Sequence, residues 1–197
     1  MRHDLTAACL AASDENGDIH MMTFAFSPQT GIEERSRRDK VPYDQWSRDE
    51  IIYAPPGEVL DYDMIAQHLR IKLDDLDIPV LSIQFDRYRI NDFKAAAERQ
   101  GFAQGAEWVE VGQGYVSMTP RIENMEALLL QRKLRTGLHP VLNLGASSAI
   151  VEMDNAGNRR LTKAKSSQKI DGIIAALMAI YPLVENEEVF SVDQYVA

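Results

Sequence analysis

The sequence predicts a mixed α/β fold organised as one domain, on three observations. Residues 78–85 form a nearly continuous apolar run ending in Asp86, the pattern of a strand buried on both faces. Residues 91–100 read as a helix stopped by Gly101, and residues 107–111 as another strand, all within about 35 residues. Such a strand–helix–strand unit implies a parallel pair with a right-handed crossover. Finally, the 197 residues are 45% apolar and 26% charged, the balance of a chain that buries a core of its own.

Each remaining element has its own signal. Residues 6–12 are a short apolar strand, and Asp14-Glu15-Asn16-Gly17-Asp18 carries the Asn-Gly signature of a tight hairpin. Residues 19–26, rich in aromatic and β-favouring side chains, are the returning strand. Residues 28–52 are polar and charge-dense and read as an excursion with short helical turns. Pro55-Pro56-Gly57 is a breaker, after which Asp61 is placed to cap a helix over residues 62–73. Thr119 and Pro120 fit the cap and first position of a helix that runs through Leu128, Leu129 and Leu130 towards Arg135 and stops at Gly137. Residues 141–153 contain a strand, Asp154-Asn155-Ala156-Gly157-Asn158 is a turn, and Ser166 and Ser167 precede a last helix. Its apolar stripe is Ile170, Ile173, Ile174, Leu177, Met178 and Tyr181. Trp46, Trp108 and the leucine-rich helix are assigned to the core.

Several function classes drop out. The longest apolar run, residues 173–184, is shorter than the roughly 20 residues a bilayer span needs, so no membrane partner is expected. Arg2, His3 and Asp4 occupy the start without the apolar segment of a secretory signal. Cys9 is the only cysteine, which excludes an internal disulfide and a cysteine-rich zinc site, and in an apolar strand it reads as an inert thiol. A cytoplasmic chain is the expectation. Phosphate-binding loop, Gly-x-Gly-x-x-Gly, His-Glu-x-x-His and Gly-x-Ser-x-Gly patterns are all absent, and His3, His20, His68 and His139 lie far apart.

Charge is unevenly spread. The total is -9, with a sequence pI near 4.9. Residues 1–120 carry 12 bases and 21 acids, whereas residues 121–181 carry 9 bases and 5 acids. The basic segment contains Arg132, Lys133, Arg135, Arg159, Arg160, Lys163, Lys165 and Lys169. It is either a solvated charged face or a surface for phosphate.

What remains for chemistry is carboxylate. Asp86 ends the apolar strand, where a charge needs an ion pair (Arg87 or Arg89) or a metal. Asp171 lies in the first turn of the last helix, where it either offsets the helix dipole or serves as a ligand. Aspartates hold hard divalent ions, and two such ions about 4 Å apart stabilise both oxygens of an in-line phosphoryl displacement.

Several stretches, in order, resemble one family. They are Asp4-Leu5-Thr6-Ala7, Pro55-Pro56-Gly57 with Asp61-Tyr62-Asp63, Phe85-Asp86-Arg87-Tyr88, and Gln113-Gly114-Tyr115 with Ser117-Met118. Then come His139-Pro140-Val141, Asp154 to Asn158, Lys163-Ala164-Lys165-Ser166 and Lys169-Ile170-Asp171-Gly172. Together they resemble the C-terminal nuclease domain of phage terminase large subunits, the DNA-packaging motor proteins of tailed phages. The resemblance implies a ribonuclease-H-like mixed sheet flanked by helices. It implies an endonuclease, dependent on Mg²⁺ or Mn²⁺ in a two-metal site, that cuts concatemeric double-stranded DNA around packaging in the host cell. Asp86 and Asp171 fall on two of the family's three metal-binding acidic positions, and Lys163, Lys165 and Lys169 would lie near the DNA backbone. The portal and the small terminase subunit are the implied protein partners.

The departure is at the beginning. In the family, the first catalytic aspartate precedes the Asp-Leu-Thr-Ala stretch, and here only Met1, Arg2 and His3 precede Asp4. Asp4 matches an accessory acidic position and is the candidate for a substitute third ligand. The family's ATPase domain is not expected in a chain without a phosphate-binding loop. A homo-oligomer, with a neighbouring chain replacing the first strand, is a further expectation. The alternative to an active nuclease is a truncated, non-catalytic remnant that binds DNA or packaging partners. A junction resolvase or transposase of the same fold leaves the Gln113 and Lys163–Asp171 blocks unexplained.

Overall fold

The computed structural model describes residues 5–86, 90–163 and 169–185. Its elements in chain order are β1 (Thr6–Ser13), β2 (Ile19–Phe26), α1 (Ile32–Asp39), α2 (Tyr43–Arg48), α3 (Tyr62–Asp74), β3 (Ser82–Phe85) and α4 (Ile90–Gln100). There follow β4 (Glu107–Glu110), α5 (Tyr115–Leu130), β5 (Leu134–Arg135), α6 (Pro140–Ser148), β6 (Ala149–Met153), β7 (Arg159–Lys163) and α7 (Asp171–Glu185). They gather into two compact units, one of Phe26–Gly112 and one of Thr6–Ala25 with the chain from Gln113 onward. Among the described residues the strands pair as β1-β2-β5, β3-β4 and β6-β7. No helix among them is long and apolar enough to cross a membrane.

In the first unit β3 and β4 run parallel, with Ser82 opposite Glu107 and Phe85 opposite Glu110, as the strand–helix–strand pattern requires. The crossover helix α4 buries Ala96 and Ala97 and packs on α3, whose Ile65, Leu69 and Leu73 recur every four residues. Asp61 caps α3 as expected, its Oδ1 accepting from the Asp63 amide at 3.1 Å. Gly101 ends α4 with φ +67°, a left-handed conformation that a glycine adopts without strain. The expected excursion holds α1 and α2. There the buried Arg35 gathers the preceding turn by donating to Thr30 O at 2.8 Å, Ser27 Oγ at 3.0 Å and Pro28 O.

The strand at residues 78–85 is shorter than its apolar run. Pro79 has no amide to donate, and the β3–β4 ladder begins only as Glu107 N reaches Leu81 O at 2.9 Å. Ile78 and Leu81 are exposed and all of β3 is half-buried, so it is not a strand covered on both faces.

In the second unit Asp14 to Asp18 make the predicted tight turn, with Asp14 N donating to Asp18 O at 3.0 Å and Gly17 at φ +73°. β2 pairs in parallel with β5, Ile19 opposite Leu134. Helix α5 begins at Tyr115, not at Thr119, so Pro120 lies inside it. Thr119 is no cap: its hydroxyl donates to Tyr115 O at 2.8 Å and accepts from Arg159 N at 2.6 Å, joining helix to strand. The helix stops at Leu130 because Arg132 turns left-handed at φ +57°, leaving residues 134–135 to β5. Leu128 is buried but Leu130 is 85% exposed, so only part of the leucine run serves the core. Residues 141–153 hold the expected strand β6, preceded by α6, which starts at Pro140 with His139 as cap. The final helix packs on β1, α5 and α6. Burial pushes the Cys9 thiol up to about 12, which keeps it protonated at neutral pH.

Removing the α3 cap is the simplest check on this local logic. Asp61→Ala is expected to cost about 0.5–2 kcal/mol in urea unfolding, with the fold retained.

Candidate functional site

Asp86 leaves the carboxyl end of β3 and is exposed. Loops at the carboxyl ends of parallel strands are where α/β proteins place reactive groups. Aromatic packing fixes this end of the strand. Phe85 lies 6.1 Å from the Trp108 ring, which lies 6.1 Å from Phe93, and Tyr62 stands 6.0 Å from Phe93. Each such pair contributes about 0.5–1.5 kcal/mol beyond its buried area. Lys94 adds its ammonium 4.6 Å above the Phe85 ring. At the far end of α4, Arg99 grips Asp63 through two bonds of 3.0 and 2.5 Å, and Gln100 donates to the same carboxylate at 3.0 Å. These hydrogen bonds, Arg99 first, hold the Asp63 carboxyl below the usual carboxylate range. Arg87 and Arg89, the candidate ion-pair partners of Asp86, lie outside the described residues.

In the second unit Asp171 opens α7 and is exposed, while Ile174, Ala176, Leu177, Met178 and Ile180 are buried. Arg121 of α5 steadies the helix, its guanidinium 4.1 Å from the centre of the Tyr181 ring. Lys163, at the end of β7, is exposed, whereas Lys169 is only 9% exposed. Of the two, Lys163 is the better placed to meet a phosphate. Lys165, and with it Asp4, lies outside the described residues.

The basic segment is less available than its residue count suggests. Arg159 donates to both Glu126 oxygens at 2.9 Å and stands 3.6 Å from Glu123. Arg160 donates to Glu152 at 3.0 and 2.8 Å and covers the Tyr115 ring at 4.4 Å. Arg135 is held by Asp18 at 2.5 Å. Three of its arginines therefore brace the fold.

These features can be set beside known proteins. The family model described as the terminase large subunit, endonuclease domain, matches residues 1–187. The chain belongs to that family. The large terminase subunit of Enterobacteria phage HK97 is 37% identical over 179 residues, covering 91% of this chain and 35% of the HK97 protein. The crystal structure of the HK97 bacteriophage large terminase superposes with a TM-score of 0.83 at 36% identity, covering 92% of this chain and 37% of that one. The chain thus spans about a third of the length of the curated relative it matches. Strands flanked by helices, in a terminase nuclease domain, agree with the ribonuclease-H-like class expected from the sequence.

The terminase family implies a divalent metal, and the donor chemistry here fits one. Asp86 and Asp171 are exposed carboxylates, hard oxygen donors of the kind Mg²⁺ and Mn²⁺ prefer, each at the end of a well-anchored element. Among the described residues no three His, Cys, Asp or Glu side chains are gathered to hold a metal. Helix α6 and its two small-residue contacts with α7 leave almost no mark in the sequence. The only visible signal was Gly145 among small residues in Gly145-Ala146-Ser147-Ser148.

The Asp63–Arg99 link gives a pH prediction. A carboxyl lowered in the folded state contributes stability that is present above its unfolded pKa and lost as pH falls through the folded value. Asp63→Asn is therefore expected to lower the melting temperature at neutral pH. The gap from wild type should close as pH falls below about 4.

Proposed function

We propose that this chain is the cutting module of a phage packaging motor, a Mg²⁺- or Mn²⁺-dependent endonuclease that cleaves concatemeric double-stranded DNA. The observation that carries the reading is the endonuclease-domain match over residues 1–187, within which Asp86 and Asp171 stand exposed at a strand end and a helix start. Both are proposed as metal-holding residues, with Asp4 as the third. When bound, the divalent ions supply activation of the attacking water and stabilisation of charge on the leaving oxygen. Asp86 and Asp171 bring the negative charge that retains those cations beside a polyanionic substrate. Lys163 pairs with a backbone phosphate and Lys165 is proposed for the same role, whereas Lys169, only 9% exposed, is the weaker candidate. With its acidic total and three of its arginines in internal pairs, the chain binds DNA weakly by itself. The portal and the small terminase subunit are the partners that deliver substrate to it.

Nicking of supercoiled plasmid in Mn²⁺ and in Mg²⁺ tests this reading. Wild type is expected to nick, chelation to stop it, and Asp86→Ala and Asp171→Asn each to reduce the rate more than about 100-fold while the protein stays folded. Cleavage that survives both substitutions would remove these residues from the site. Folded wild type that binds DNA but never cuts would establish the non-catalytic alternative.

A further inference from the structure

Helix α7 begins where α6 lets it begin. A β-carbon added to Gly172, the residue after Asp171, would lie 3.0 Å from the carbonyl oxygen of Val141 and 3.4 Å from the Leu142 Cα. One turn further along α6, a β-carbon at Gly145 would lie 2.9 Å from the backbone nitrogen of Ile173. These neighbours are backbone atoms, which cannot swing aside as the end of a side chain does. Neither glycine has a left-handed φ, so space and not conformation demands glycine here. Glycine inside a helix is destabilising relative to alanine, a cost that close backbone approach offsets at these two points.

The two contacts bracket the first turn of α7 from one side. Val141 and Gly145 are one turn apart on α6, and they meet Gly172 and Ile173, the two residues that follow Asp171. Both glycines are buried, so the start of the helix is pinned while the Asp171 side chain remains exposed. On the reading of Asp171 as a metal ligand, we propose that Gly145 and Gly172 are positioning residues. The α6–α7 contact sets the place of the Asp171 carboxylate, and thereby the affinity for the divalent ion. Ligand sets for Mg²⁺ tolerate little displacement, and loss of supporting contacts around a ligand typically costs 10–100-fold in metal affinity.

The test measures Mn²⁺ binding to the full chain by calorimetry without DNA, alongside the Mn²⁺ concentration for half-maximal plasmid nicking. Gly172→Ala is expected to raise both by about 10-fold or more at a temperature where circular dichroism shows a folded protein. Ile180→Ala, a buried substitution near the other end of α7, serves as the stability control and is expected to leave both values unchanged while lowering the melting temperature. Equal effects of Gly172→Ala and Ile180→Ala on metal binding would reduce the glycines to a structural role and overturn the proposal. So would wild-type Mn²⁺ affinity in folded Gly172→Ala. If Gly172→Ala does not fold, Gly145→Ala carries the same expectation and the same reversal. Asp171→Asn separates the two ideas. If it binds Mn²⁺ as wild type does, the ligand reading itself falls; if it binds weakly while the glycine variants bind normally, only the positioning claim falls.

Discussion

Helix α7 is apolar around most of its circumference, and an apolar helix must be covered on several sides or its surface stays in water. Its buried residues, among them Leu177, Met178 and Ile180, are met by β1, α5 and α6. That demand shapes much of the second unit. Arg121 adds its stacked guanidinium at Tyr181, and the glycines of α6 and α7 allow backbones to touch where side chains would hold them apart. Asp171 inherits its position from the glycine contacts at the start of this helix. It is the acidic residue of the helix's first turn, where a carboxylate also complements the helix dipole. The structural and functional readings of Asp171 therefore coexist. A carboxylate favoured at a helix start is a stable place to keep a metal ligand.

The first unit solves the same problem by different means. Its candidate site lies at the end of a short parallel pair, where the exposed Asp86 follows directly on an aromatic cluster. Trp108 from β4 packs against Phe85, Phe93 from α4 against Trp108 and Tyr62 from α3 against Phe93, so a run of rings from three elements ends at the strand's last residue. The Asp63–Arg99 pair then joins α3 to α4 across their exposed sides. A surface pair of this sort contributes little to stability by itself.

What was legible in the sequence was local. The Asn-Gly turn, the Asp61 cap and the Gly101 stop each depend on residues a few positions apart, and each is found where the sequence places it; of the α7 stripe, Ile174, Leu177 and Met178 are buried, while Ile170 precedes the helix. Errors came where a distant partner decides. Thr119-Pro120 has the pattern of a helix start, yet Thr119 bonds to Arg159, forty positions away, and the helix begins a turn earlier. The run at residues 78–85 is apolar enough for a buried strand, but Pro79 and the register with β4 shorten it. Counting bases leaves a solvated face and a phosphate-facing surface both open, and Arg135, Arg159 and Arg160 are matched by acids from other elements. Asp86 and Asp171 were visible as candidates because a carboxylate closing an apolar run or opening an apolar helix stands out by contrast. The chemistry proposed for them is not visible in pattern alone. It came from the order of short motifs that the endonuclease-domain match over residues 1–187 also spans.

The account rests on carboxylates that retain a divalent cation. Crystals of this chain soaked in Mn²⁺ and measured at the manganese absorption edge address that directly. Anomalous difference density on the carboxylates of Asp86 and Asp171 is the predicted result. Density for a well-occupied ion held by other residues, with neither aspartate as ligand, would contradict it.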